Sequence, residues 1–262
     1  MKHLTVLGDL AAEQTALGRI LDDLTPSEWT QPTPSEGWTV ADQVSHLRFF
    51  DERATMALSD PEAFMVERER IIAGAPHDPS VDAGRSLSSA DLRGEWKRHS
   101  ERLRAVAAVA PADRRVPWFG PAMSLSSFLT ARLMECWAHG HDVCEATSRP
   151  PIVSDRLRQV AHIGYSARPF SLLINQLPID DRPIRLELEG PNGQLWVWGS
   201  CDAEDRVIGG AYDFCLVVTQ RRRPDESQLV VVGESARQWI DVAQAFAGGP
   251  GRGRGVRGPR YG

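Results

Sequence analysis

The sequence has no apolar run approaching the roughly 18 residues that a membrane-spanning helix takes. A secretory signal is also missing, because Asp9 and Glu13 interrupt the short apolar stretch after Lys2. Cysteine is sparse: Cys136, Cys144, Cys201 and Cys215 form no CxxC pair and no metal-knuckle spacing. Free thiols in a reducing cytoplasm are therefore expected. Acid is absent from the last fifteen residues, where Arg252, Arg254, Arg257 and Arg260 stand alone. Setting those four charges aside from the net charge of −5 leaves −9 on the remainder. Such an acidic body is a poor electrostatic match for nucleic acid or an anionic membrane, and neither is an expected partner.

What remains is ordinary globular composition, 42% hydrophobic and 25% charged over 262 residues. That length suggests two domains. Leu10, Leu17, Leu21 and Leu24 recur at helical spacing in a first helix over Leu4–Leu24, closed by Thr25-Pro26. Thr39 and Asp42 form a capping-box start for a second helix, whose buried stripe is Val40, Val44, Leu47, Ala54 and Leu58. Between Pro61 and Arg85 the chain reads as a helical piece followed by a loop. Ser88 or Ser89 caps a third helix, with the stripe Leu92, Trp96, His99, Leu103, Val106 and Ala110. A fourth begins near Ser124 and continues to about Ala146. Four amphipathic helices predict a bundle over residues 1–149, and Arg149-Pro150-Pro151 reads as a linker.

The pattern then changes, and residues 152–247 read as a small α+β domain. A helix is expected from Ser154 to about Tyr165. Alternation at Ile184, Leu186 and Leu188, the turn Gly190-Pro191-Asn192-Gly193 and the return Leu195–Trp198 predict a hairpin. Ala211–Thr219 reads as helix, Leu229–Val232 as a short buried strand, and Ser235–Phe246 as a closing helix. One ring of the Trp196/Trp198 pair is expected in the core. The Gly/Arg-rich segment 248–262 has too little apolar surface for a core and is expected to be disordered.

Chemistry concentrates in the fourth helix. Glu135 and His139 are four apart, so they project from one face a turn apart, and Asp142 continues the line. A carboxylate, an imidazole and another carboxylate on one stripe suit zinc or a similar divalent cation. A third ligand must come from a neighbouring helix. His46, mid-helix one turn before Phe50, fits, and His99 is the rival. Three protein ligands would leave a position open for water or substrate, as in catalytic zinc sites. Bland readings stand beside these: a Glu/His pair at this spacing can be a solvated pair, and His46 a hydrogen-bonded histidine at the edge of the core. Cys136 is turned off the metal face and reads as a buried thiol. His141 points away from His139, while His3, His77 and His162 suggest no partners. Arg221-Arg222-Arg223 reads as a charged helix end able to bind a carboxylate.

The run Gly37-Trp38-Thr39-Val40-Ala41-Asp42-Gln43-Val44-Ser45-His46-Leu47 resembles the motif before the first metal histidine of mycothiol-dependent maleylpyruvate isomerases, members of the DinB-like superfamily. Glu135 to Asp142 resembles the second metal motif of that family. The resemblance covers about residues 5–147. It implies that His46, Glu135 and His139 are ligands and that Asp142 is a catalytic or supporting carboxylate. It also implies an N-terminal DinB-like four-helix bundle followed by a sterol-carrier-protein-like α+β domain. In that domain Gly209 to Arg221 resembles the family pattern, with Gln220-Arg221 where the family has Gly-Arg. Arg221 thereby matches its functional arginine. The implied activity is isomerisation or thiol transfer on a small electrophile with mycothiol, a low-molecular-weight thiol, as co-reactant. Metal-dependent hydrolysis and a non-enzymatic metal-binding protein are the alternatives.

Overall fold

A computed structural model describes residues 2–74 and 78–251 of the chain; Pro76, His77 and the tail arginines lie outside the described residues. Two compact units divide it, Met1–Ile152 and Val153–Gly262.

The first unit is mostly helical. It comprises α1 (Lys2–Asp22), α2 (Val40–Ser59), α3 (Pro61–Ile72), α4 (Pro79–Asp82), α5 (Ser89–Val109), a two-stranded ribbon of β1 (Arg115–Val116) and β2 (Met123–Ser124), and α6 (Leu125–Ala146). Local signals set the starts. Thr39 and Asp42 make the expected capping box, Ser88 caps α5, and Ser124 caps α6. Helix α2 packs on α5 and α6, and α1 packs on the same two helices. All five residues expected to form the α2 stripe are buried, joining Leu17, Leu21, Leu92, Trp96, Cys136 and others in the core. The α5 stripe differs from expectation. Its buried positions are Leu92, Trp96, Ser100, Leu103 and Ala107, with His99 and Val106 only half-buried. A 3.6-residue period drifts off the 99/106 positions and onto 100/107.

The second unit is α+β. It contains α7 (Leu157–Ser166), α8 (Arg168–Ile174), β3 (Ile184–Glu189), β4 (Leu195–Trp198), β5 (Asp205–Gly210), α9 (Ala211–Val218), β6 (Val230–Val232) and α10 (Glu234–Asp241). Its mixed sheet has the order β4-β3-β5-β6, with β3 and β5 parallel and the outer pairs antiparallel. The β3–β4 hairpin and its turn follow the sequence reading, with Gly193 at φ +77°. Trp196 is buried and Trp198 is half-buried, its indole N–H lying 3.2 Å from His162 Nδ1. His162 thus has a partner that sequence did not suggest.

Strand β5 and helix α8 were not anticipated. The connection from β4 to β5 passes the start of β3, and Gly199 (φ +83°) makes that passage possible. A Cβ there would sit 2.2 Å from the Ile184 carbonyl oxygen. Strand β6, expected to be buried from its apolar sequence, instead forms a sheet edge, leaving Val230 57% and Val232 43% exposed. The closing helix also ends at Asp241 rather than near Phe246. Beyond it Gln244 is fully buried, donates to the Phe246 and Gly249 carbonyls, and accepts from the Gly251 N–H. The start of the Gly/Arg-rich segment is therefore hydrogen-bonded.

Three helix ends share one device. Ser148, Gln176 and Gln220 have φ of 54°, 58° and 59° and follow α6, α8 and α9. In each case the residue's own N–H and that of its successor return to the last turn. For Ser148 these bonds are Ser148 N to Glu145 O and Arg149 N to Cys144 O. This is the Schellman arrangement, built without its usual glycine.

Candidate metal centre

The site forms where α2 crosses α6. His46 comes from α2, and Glu135 and His139 from successive turns of α6. One ligand atom from each lies within 4.8 Å of the others. Glu135 Oε2 is 3.1 Å from His139 Nε2 and 3.8 Å from His46 Nε2. The two imidazole centroids are 4.3 Å apart. His99 is outside this group.

Each histidine is held by its other nitrogen. His46 Nδ1 lies 3.0 Å from Ser80 Oγ, and that hydroxyl donates to Asp78 Oδ1 at 2.6 Å. His139 Nδ1 lies 2.5 Å from Gln43 Oε1, and Gln43 Nε2 donates to Thr33 Oγ1 at 2.8 Å. Ser80 and Gln43 are completely buried. Aromatic rings wall the site. Trp38 stacks against His139 at 5.9 Å and 15°, and Phe50 lies 4.6 Å from His46. Such a wall lowers the local dielectric and strengthens charge interactions within it.

Burial opposes ionisation of Glu135, but the hydrogen bonds and charges of His139 and His46 together outweigh it. They hold the carboxyl well below the usual carboxylate range. Two imidazole nitrogens and an ionised carboxylate oxygen therefore converge, a donor set that fits a divalent cation of the zinc type. Supporting contacts from the other ring nitrogens are the usual means of aiming metal-binding histidines.

Asp142 lies outside that group. It is buried and accepts a hydrogen bond from Ser35 at 3.3 Å, tying α6 to the loop that carries Trp38. His141 is 3.7 Å from Glu145, on another face of α6. Cys136, Cys144 and Cys215 are buried and Cys201 is exposed, all as free thiols. Arg221 belongs to the second unit, where its guanidinium donates to Thr219 O at 2.8 Å. Sequence reasoning missed Ser80 and Thr33 altogether. The only available signal was the Asp78-Pro79-Ser80 turn, whose relation to His46 is not local.

Residues 10–144 match the family described as "Mycothiol maleylpyruvate isomerase N-terminal domain". Two uncharacterized proteins, from two strains of Mycobacterium tuberculosis, are each 42% identical over 251 residues. The match covers 95% of this chain and 97% of each relative. Among solved structures, the fold is similar to two crystal structures of the mycothiol-dependent maleylpyruvate isomerase, one of them a histidine-to-alanine variant. Each superposes with a TM-score of 0.58 at 16% identity, covering 87% of this chain and 92% of that one. At that identity the likeness concerns the fold, whereas the match over residues 10–144 carries membership. The chain belongs to the mycothiol maleylpyruvate isomerase N-terminal domain family.

Proposed function

We propose that this protein is a metal-dependent enzyme that uses mycothiol to isomerise, or to transfer the thiol to, a small electrophilic substrate. The observation carrying the reading is the convergence of one ligand atom each from His46, Glu135 and His139 within 4.8 Å. Zinc is the first candidate because it accepts nitrogen and oxygen donors together. A cation held by these three side chains would lower the pKa of a coordinated thiol or water.

The remaining roles fall to the chain itself. Trp38 and Phe50 exclude water around the histidines, so charge on the thiol is poorly screened there. Asp142 holds the Trp38 loop through Ser35 and is the candidate proton carrier. Arg221 would take an anionic substrate group. None of the four cysteines belongs to the ligand group, which favours a thiol supplied from outside. The same reading makes the first unit a DinB-like four-helix bundle and the second a sterol-carrier-protein-like domain. It also gives the protein small-molecule partners in the cytoplasm and none among nucleic acids or membranes. No described helix is long and apolar enough to cross a membrane.

The test is addition of mycothiol to protein loaded with cobalt. A sulfur-to-cobalt charge-transfer band, with turnover of candidate electrophiles that requires the thiol, is the expected result. Turnover without thiol would replace this reading with metal-dependent hydrolysis. Metal binding with neither band nor turnover would leave a non-enzymatic metal protein.

A further inference from the structure

The supporting hydrogen bonds have a direction, and that direction fixes where the imidazole protons sit. Ser80 has one hydroxyl hydrogen. It points to Asp78 Oδ1 at 2.6 Å, an oxygen that also accepts the Ser80 backbone N–H at 2.8 Å. Ser80 Oγ must then accept from His46, so His46 Nδ1 carries a hydrogen. The second chain ends equally firmly. Thr33 Oγ1 donates to the backbone carbonyl of Trp38 at 3.0 Å, and a carbonyl oxygen has no hydrogen to give. Thr33 therefore accepts from the Gln43 amide nitrogen, which turns Gln43 Oε1 toward His139. His139 Nδ1 must carry the hydrogen there.

We infer that Ser80, backed by Asp78, and Gln43, backed by Thr33, are positioning residues that lock both histidines in the Nδ1–H tautomer before any metal arrives. With a hydrogen fixed on Nδ1, Nε2 is the nitrogen left to face Glu135, at 3.1 Å for His139 and 3.8 Å for His46. It donates to the carboxylate while it carries a hydrogen and offers its lone pair to a cation once that hydrogen is gone. In solution neutral imidazole favours a hydrogen on Nε2, so the lock opposes the intrinsic preference. Helix α2 supplies His46 directly and aims His139 through Gln43, three residues earlier on the same helix. Ser45, beside His46, donates to the Ser80 carbonyl at 2.5 Å and pins the supporting turn. This inference rests on the metal reading for its purpose, but the tautomers can be observed without metal.

The experiment is long-range proton–nitrogen correlation NMR on metal-free, nitrogen-15-labelled full chain at a pH where both rings are neutral. Both His46 and His139 should show the Nδ1–H pattern. Ser80→Ala should move His46 toward Nε2–H and leave His139 unchanged. Gln43→Leu should release His139, whereas Gln43→Glu, which keeps an acceptor in place, should not. Zinc affinity, measured against a chromophoric chelator, should fall about 10- to 100-fold in Ser80→Ala and Gln43→Leu, and much less in Gln43→Glu. An Nε2–H pattern at either histidine in the unmutated protein overturns the inference, and so do unchanged tautomers in Ser80→Ala and Gln43→Leu. If the chain binds no zinc while both rings show Nδ1–H, the lock stands and the metal reading falls.

Discussion

Arg132 reaches Asp51 inside the core of the helical unit, placing Nε 3.2 Å and a terminal nitrogen 3.0 Å from the same carboxylate oxygen. Both side chains are only 3% exposed. Asp51 lies five residues beyond His46 on α2, and Arg132 lies three before Glu135 on α6. The pair thus clamps the two helices that present the ligands. Desolvation raises the Asp51 pKa despite the opposing pull of Arg132, so the charge is held at a cost. Asp51→Ala should destabilise the protein by about 3–5 kcal/mol, because it strands a buried guanidinium. Replacing both partners with apolar residues (Asp51→Leu with Arg132→Met) should recover most of that loss. Urea unfolding of the three proteins decides it, and equal losses in the single and double variants would contradict the clamp.

Metal content should follow the convergent group and not histidine number. One divalent ion per chain is expected by elemental analysis. His46→Ala and His139→Ala should each lose most of it, whereas His141→Ala should keep it, since His141 faces Glu145. Full retention in His139→Ala would end the assignment.

Asp142→Asn should separate holding metal from turnover. The carboxylate is outside the ligand group, so metal content should match that of the unmutated protein. The amide still accepts from Ser35, preserving the loop, but it cannot carry a proton at neutral pH. Thiol-dependent turnover should fall at least about 100-fold. A variant with full metal and full activity would remove Asp142 from the mechanism.

Ser148→Gly should stabilise the first unit by about 0.5–1 kcal/mol. Ser148 is exposed and sits at φ 54°, so glycine relieves a crowded backbone without deleting a buried contact. Thermal unfolding should show a small rise in Tm, and a fall would mean the hydroxyl does unseen work.

Acid sensitivity should have a named contributor in Glu28. The Arg149 hydrogen bond, followed by those from Thr25, lowers its pKa from 4.5 to about 2. A folded pKa below the unfolded one stabilises the protein above pH 4.5, and that stability drains away as the pH falls toward 2. Glu28→Gln should flatten this part of the Tm–pH curve and leave the curve near neutrality parallel. An unchanged acid limb would show that the pair contributes nothing.

The helical unit was largely legible because its signals are local. Thr39 and Asp42, Ser88 and Ser124 each announce a helix start within four residues. The Glu135–His139 spacing announces a shared face, and the structure pairs it with His46. What stayed hidden depends on partners far along the chain. Strand β5 begins with Asp205 and ends in Gly209-Gly210, a weak strand signature whose parallel pairing with β3 gives no local trace. Whether Val230–Val232 is buried depends on its place in the sheet order, which its apolarity does not encode. Ser80 and Thr33 are likewise ordinary polar residues until the fold brings them to the back of a histidine.

The ligand group joins chain segments about ninety residues apart, so a cation bound there would close a loop as a cross-link does. Occupancy would then be linked to folding by mass action. At a free concentration a hundredfold above Kd, a ligand specific for the folded chain adds about 2.7 kcal/mol. The melting temperature would consequently report the metal content of the buffer, and a chelator would act on this protein as a mild denaturant.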